Sequence, residues 1–203
     1  MNVNTFDPLR GSPDLRERIT RGHGDRIVVA YVGRLAAEKG INRLLPLMHA
    51  RSDAHLVIVG DGPQRPALEE RFRGKNVTFM GLLSHDKVGE VLASCDVFAF
   101  PSTTDTLGLV VLEAMASGLP VLLADSQSSR DLISGTTAGV IFDPAQPFAI
   151  IPALDAILAG GQTRSQLAAA ARRRLPTWSQ STDQLLSWYR AVIRHSQARS
   201  LAA

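Results

Sequence analysis

Cysteine is almost missing from this sequence: Cys95 is the only one among 203 residues. No internal disulfide can form, which fits a reducing compartment, and Cys95 reads as core. Charge of one sign is not in excess either. Lys and Arg number 22 against 19 Asp and Glu, a formal net charge of +3. The basic run Arg172, Arg173, Arg174 reads as a solvated helix face, so no nucleic-acid surface is expected. No apolar run approaches the roughly 20 residues of a membrane-spanning helix. The amino terminus, M-N-V-N-T-F-D-P, lacks the basic-then-apolar pattern of a cleavable signal, and a cytoplasmic location is expected. There is no Asp-x-Asp pair, and His23, His49, His55, His85 and His195 show no ligand spacing. Neither a metal nor another cofactor is therefore expected.

What is present is a globular composition, 45% hydrophobic and 20% charged, long enough for one sizeable core or two small ones. Residues 1–25 carry Pro8, Gly11, Pro13, Gly22 and Gly24 and read as a linker or irregular cap with one short helix around Asp14 to Thr20. The ordered domain, 26–203, starts at Arg26. Short β-branched runs then alternate with helical patterns. Strands are expected at 27–32, 55–59, 77–80, 97–100, 121–123 and 140–142, and helices at 41–50, 65–72, 86–94, 107–117 and 129–133. Most of the strands are apolar on consecutive residues, as strands covered on both faces are. The fold class that follows is α/β: a Rossmann-like, doubly wound, mostly parallel sheet, with further helices at 147–158, 163–175 and 182–196.

In such a sheet ligands sit beyond the carboxyl ends of the strands, so the loops that follow each strand hold the candidate residues. The first, G-R-L-A-A-E-K-G at 33–40, is neither G-x-G-x-x-G nor a Walker A loop, which counts against a dehydrogenase and a P-loop NTPase. Gly33 would admit close backbone approach, and Arg34 and Lys39 could grip a diphosphate, one as a bidentate fork and one as a point charge. A surface Arg and a solvated Glu38/Lys39 pair explain the same loop structurally. Gly60 and Asp61, in G-D-G-P, are adequate as a plain turn. Leu83 belongs to a loop that could wall a base or be ordinary.

The fourth loop begins at Pro101. A helix starting near Leu107 leaves the amides of Thr106, Leu107, Gly108 and Leu109 without intrahelical partners, which makes an anion site. Asp105 could be only a helix-start charge. Glu113 is harder to explain, because it lies mid-helix in L-V-V-L-E-A-M-A, where a carboxylate needs a donor partner. The hydroxyls of a ribose would serve, and so would an internal Arg or Lys.

With these loops assembled, the chain resembles the carboxyl-terminal domain of the retaining family 4 glycosyltransferases of the GT-B fold. The pieces that carry the resemblance are V-A-Y-V-G-R-L-A-A-E-K-G (29–40), H-L-V-I-V-G-D-G-P (55–63), N-V-T-F-M-G (76–81), C-D-V-F-A-F-P-S (95–102) and D-T-L-G-L-V-V-L-E-A-M-A-S-G-L-P-V (105–121). The resemblance implies a nucleotide-diphosphate sugar of GDP or UDP type as donor, with a lean to GDP-mannose. Arg34 and Lys39 would hold the diphosphate, the amides after Asp105 the phosphate or sugar, Glu113 the ribose, and Asp105 the sugar itself. Members usually carry Glu at that first acidic position, so Asp105 is a departure.

The resemblance further implies an amino-terminal acceptor domain as partner, toward which the helix within 182–203 would pack. It also implies anomeric retention, an acceptor hydroxyl on a lipid or glycan, and peripheral contact with the inner membrane face. A stand-alone nucleotide-sugar-binding module and a nucleotide-sugar epimerase of related architecture remain alternatives.

Overall fold

Parallel strands buried on both faces need consecutive apolar residues, and the first two central strands have them. In the computed structural model of the chain, β1 (Ile27–Val32) buries Val28 to Tyr31 and β2 (Ala54–Val59) buries all six of its residues. The structure describes residues 5–105, 108–161, 163, 166–169, 182–183, 186–190 and 193. Among them β3 (Val77–Gly81), β4 (Val97–Phe100), β5 (Val121–Ala124) and β6 (Gly139–Phe142) complete a six-stranded sheet in the order β3-β2-β1-β4-β5-β6. Every pairing is parallel. The expected α/β Rossmann-like class is what the chain adopts. The strand order reverses between β1 and β4, so the loops leaving their carboxyl ends diverge and open a crevice there.

The connecting helices are α2 (Leu45–Ala50), α3 (Arg65–Arg71), α4 (His85–Ala93), α5 (Leu109–Ala116), α6 (Gln127–Ile133) and α7 (Ile150–Ala159), preceded by α1 (Pro13–Thr20). Two of them differ from expectation for local reasons. The stretch expected as one helix over 41–50 opens as a 3-10 turn, Ile41–Leu44, and becomes α-helical only at Leu45. Pro46 lacks an N–H and is tolerated only in a first turn, so the α-helix starts around it. Helix α5 has Gly108 as its N-cap in the left-handed region, φ 55°. Thr106 and Leu107 lie outside the described residues.

The amino-terminal segment is more ordered than a linker. Phe6, Ile19 and Thr20 are buried, and α1 is capped by the Ser12 side chain at the amide of Leu15. The Arg16 guanidinium ties α1 down. It donates to both Asp96 carboxylate oxygens at 3.0 and 2.6 Å and to the carbonyls of Ser94, Gly24 and Arg26. Asp96 also accepts the amide of Val28 at 2.8 Å, so one ion pair joins α1 to the starts of β1 and β4. The glycines and prolines of this segment mark turns around α1; they do not loosen it.

Two compact units are distinguished, residues 2–172 and a second comprising Met1 with 173–203. In the first, Leu167 and Ala168 are buried; most of the helix expected at 163–175 lies outside the described residues. In the second, residues 182–183, 186–190 and 193 are helical, and the rest of that expected helix is likewise outside them.

Candidate functional site

A cleft of about 600 Å³ opens at the carboxyl ends of β1 and β4, where the order reversal predicts one. Its lining includes Gly33, Arg34, Glu38 and Lys39 from the loop after β1, and Asp105, Gly108, Leu109, Val110 and Glu113 from the loop and helix after β4. Residues some 66 to 80 positions apart in sequence are thus brought together, and specific bonds hold them there. Arg43 donates to the carbonyl of Pro101 at 2.7 Å, and Thr104 Oγ1 to the carbonyl of Glu38 at 3.4 Å. Under the cleft the buried Tyr31 hydroxyl donates to the carbonyl of Arg34 at 3.0 Å. Burial pushes that phenol well above its ordinary range, with Asp105 and Glu38 adding to the effect, so it stays a donor.

The charged groups are not all free. Lys39 Nζ lies 2.6 Å from Asp105 Oδ1, an ion pair with each side chain about one-quarter exposed, 23% and 24%. Asp105 Oδ2 is buried without a hydrogen-bond partner. Burial alone would raise the Asp105 pKa, but the hydrogen bond from Lys39 and its charge, with the nearby Ser102 hydroxyl, outweigh it and hold the carboxyl below its ordinary range; only the Lys39 contact has hydrogen-bond geometry. Arg34, by contrast, is exposed and has no ion-pair partner among the described residues. The lining therefore carries Arg34 and Lys39 against Glu38, Asp105 and Glu113. Both signs of charge face the cleft, as the sequence places Asp105 and Glu113 there beside Arg34 and Lys39.

Glu113 projects from the middle of α5 with its side chain 14% exposed, and the imidazole Nδ1 of His85 lies 4.0 Å from Oε1, an ion pair only when that ring is protonated. Burial raises the Glu113 pKa, with His85 opposing. No internal Arg or Lys neutralises it within ion-pair distance among the described residues, so its hydrogen-bonding capacity faces the cleft. At the start of α5 the amides of Leu109 and Val110 have no intrahelical acceptor; those of Val111 and Leu112 reach the carbonyl of Gly108. An anion near Arg34 would meet these amides and the positive end of the helix dipole.

Residues 15–174 match the family described as glycosyl transferases group 1. The chain belongs to this family.

Among curated relatives, a sulfoquinovosyl transferase of Arabidopsis thaliana is 36% identical over 176 residues, 85% of this chain and 34% of its own length. A GDP-mannose-dependent alpha-mannosyltransferase of Mycolicibacterium smegmatis is 36% identical over 200 residues, 98% of this chain and 52% of its own. The chain spans about half the length, or less, of the curated relatives it matches. Among solved structures, a sucrose-phosphate synthase of Thermosynechococcus elongatus superposes with a TM-score of 0.78 at 26% identity, over 96% of this chain and 51% of the other. The Anabaena protein HepE, solved with UDP and glucose, matches in fold with a TM-score of 0.74 at 23% identity, over 90% and 55%. These neighbours place the fold as the Rossmann-like half of a GT-B glycosyltransferase.

Within this group 1 domain the cleft gathers Gly33, Arg34, Lys39, Asp105, Gly108, Leu109 and Glu113. Three other candidates are not among the residues lining the cleft. At Gly60, φ 126°, a Cβ would come 2.0 Å from the carbonyl oxygen of Gly33, so the glycine allows the loops after β1 and β2 to touch. Asp61 turns onto its own loop, accepting the amide of Gly62 at 2.7 Å and pairing with Arg65 at 3.3 Å. Leu83 lines a separate cavity of about 350 Å³ with residues of α1, β3 and α4. The sequence reading gave Glu38 only as a solvated partner of Lys39 and did not single out Tyr31, which also lines the cleft.

Proposed function

We propose that this domain binds a nucleotide-diphosphate sugar in the cleft and serves as the donor-binding half of a hexosyl transferase whose acceptor is a hydroxyl of a lipid or glycan. Glu113 carries the reading: a mostly buried carboxylate in an apolar helix, facing the cleft that Arg34 and Lys39 also line. A ribose supplies the two adjacent donors such a group requires. In this reading Arg34, Lys39 and the first amides of α5 meet the diphosphate, and Asp105 lies toward the sugar. Three relatives are named as GDP-mannose-dependent alpha-mannosyltransferases, at 35 to 36% identity, which favours GDP-mannose as donor. Charge developing on the departing nucleoside diphosphate would be met by these preorganised donors, each worth about 2.7–4 kcal/mol in comparable sites. The donor set has the chemistry to do this without a metal, and we extend the proposal to metal-independent transfer with retention.

Calorimetric titration of the chain with GDP, UDP and ADP tests the binding. GDP should bind most tightly, and Arg34→Ala should weaken it at least tenfold. No heat with any of the three at millimolar concentration would overturn the proposal.

A further inference from the structure

The donor-site reading leaves a buried phenol at the cleft without a task. Tyr31 belongs to the lining but is fully enclosed, and Gly33 lies against it: a Cβ on that glycine would come 3.0 Å from the phenol oxygen. The loop after β1 thus separates the hydroxyl from whatever occupies the cleft. What the hydroxyl holds is backbone. Toward the carbonyl of Arg34, 3.0 Å away, it can only donate. That carbonyl and the amide of Leu35 belong to one planar peptide unit, and the amide end is fixed as well, donating to the carbonyl of Asp61 at 2.9 Å. On either side, the amide of Gly33 donates to the carbonyl of Val59 at 3.0 Å and the carbonyl of Leu35 accepts the amide of Gln64 at 2.9 Å. β2 and the loop after it therefore hold the turn from one side, and the Tyr31 hydroxyl holds it from beneath. Arg34 is the residue on which these bonds converge, and its own side chain is exposed with no ion-pair partner among the described residues. No ion pair fixes the direction of the guanidinium, so the backbone that carries it does.

We propose that Tyr31 is a positioning residue for Arg34: a buried hydroxyl that never meets the ligand pins the peptide plane from which the diphosphate-binding guanidinium is presented. The inference rests on the donor-site reading above and adds to it the group that aims Arg34. A side chain whose backbone is already held loses less freedom on binding, and that preorganisation is what the phenol supplies. The expected effect is the size of one net hydrogen bond, about fivefold in affinity.

Tyr31→Phe isolates the hydroxyl. The ring stays in the core, and the Arg34 carbonyl keeps the amide of Ala36 at 3.1 Å, so no buried acceptor is left bare and the fold should survive; a melting curve checks this. Calorimetric titration with GDP then compares the wild type, Tyr31→Phe, Arg34→Ala and the double variant. GDP should bind about fivefold more weakly to Tyr31→Phe than to the wild type, and about equally to Arg34→Ala and the double variant, because a hydroxyl that acts through Arg34 has nothing to aim once the guanidinium is gone. A loss of the same size in the Arg34→Ala background would make Tyr31 a general support of the fold and overturn the inference; so would an unchanged GDP affinity in Tyr31→Phe. Should the Phe variant melt well below the wild type, 4-fluorophenylalanine at position 31, which fills the space of the hydroxyl and cannot donate, gives the same comparison. Absence of GDP binding in the wild type overturns the donor-site reading and this inference together.

Discussion

Glu113 is mostly and His55 fully withdrawn from solvent, and desolvation acts on the two with opposite consequences. For Glu113 the pKa is raised by desolvation, so the folded protein binds a proton where the unfolded chain has released it. Stability therefore falls as pH rises through that window. Replacing the carboxylate removes this cost. Glu113→Gln is expected to leave the melting temperature at pH 7.5 unchanged or higher and to weaken GDP binding at least tenfold, the pattern of a group kept for function against stability. A variant that melts lower and binds normally would make Glu113 structural.

His55 is fully enclosed on β2. Its Nε2 lies 3.0 Å from Thr78 Oγ1, which itself donates to the carbonyl of Ile19 at 2.8 Å. Nε2 therefore carries the proton, and Nδ1 is bare, buried and unpartnered. Desolvation, helped by Arg26, Arg21 and His23, pushes the imidazole pKa down to about 4. The unfolded chain takes up a proton below about 6.5 and the folded one does not. Stability is thus fully present above that value and declines as pH drops toward 4, by about 2 kcal/mol between pH 7 and pH 5. Urea denaturation at both pH values should show this loss, and His55→Gln should flatten the slope, whatever its effect at pH 7.

At the scale of elements, the loops after β1 and β4 are shaped by backbone constraints as much as by side chains. Gly108 illustrates this, since the sequence offers it as one of the free amides at the start of a helix. In the structure φ is 55°, and a Cβ would come 2.8 Å from Leu132 Cδ1 of α6. The left-handed φ is what calls for glycine at the start of α5; the Leu132 methyl can rotate aside. Gly108→Ala should cost about 2 kcal/mol in denaturant unfolding and displace the first amides of α5, weakening GDP binding in parallel. Helix α1 depends on one side chain in the same way. Arg16→Met removes the charged bonds to Asp96 and three carbonyls and should lower stability by about 2 kcal/mol. A loss below about 0.5 kcal/mol would mean that apolar contacts of Phe6 and Ile19 hold the segment unaided.

For the whole molecule, a ligand that binds only the folded state stabilises it by mass action. At a GDP concentration 100 times its dissociation constant the gain is about 2.7 kcal/mol. That corresponds to a rise of about 5–10 °C in melting temperature for a domain of this size, measurable by differential scanning fluorimetry. The same titration in Lys39→Ala should give a smaller rise at equal GDP concentration; an equal rise would place the diphosphate elsewhere.

Much of this architecture was legible in the sequence because its causes are local. Consecutive apolar residues in β1, β2, β4 and β5 announce strands covered on both faces. Ser84, just before the helix expected at 86–94, marks the cap that the amide of Lys87 uses. Pro101 and Gly118 bracket the loop and helix that carry Asp105 and Glu113, and Glu113 stood out because an apolar helix has no local use for a carboxylate. What the sequence alone left undecided depends on distances between residues far apart along the chain. The pairing of Lys39 with Asp105, the absence of Leu83 and Asp61 from the cleft lining, the enclosure of His55 and the anchoring of α1 by Arg16 follow from the order β3-β2-β1-β4-β5-β6. That order sets which loops meet, and a charge is free, paired or buried only with respect to the neighbours it meets.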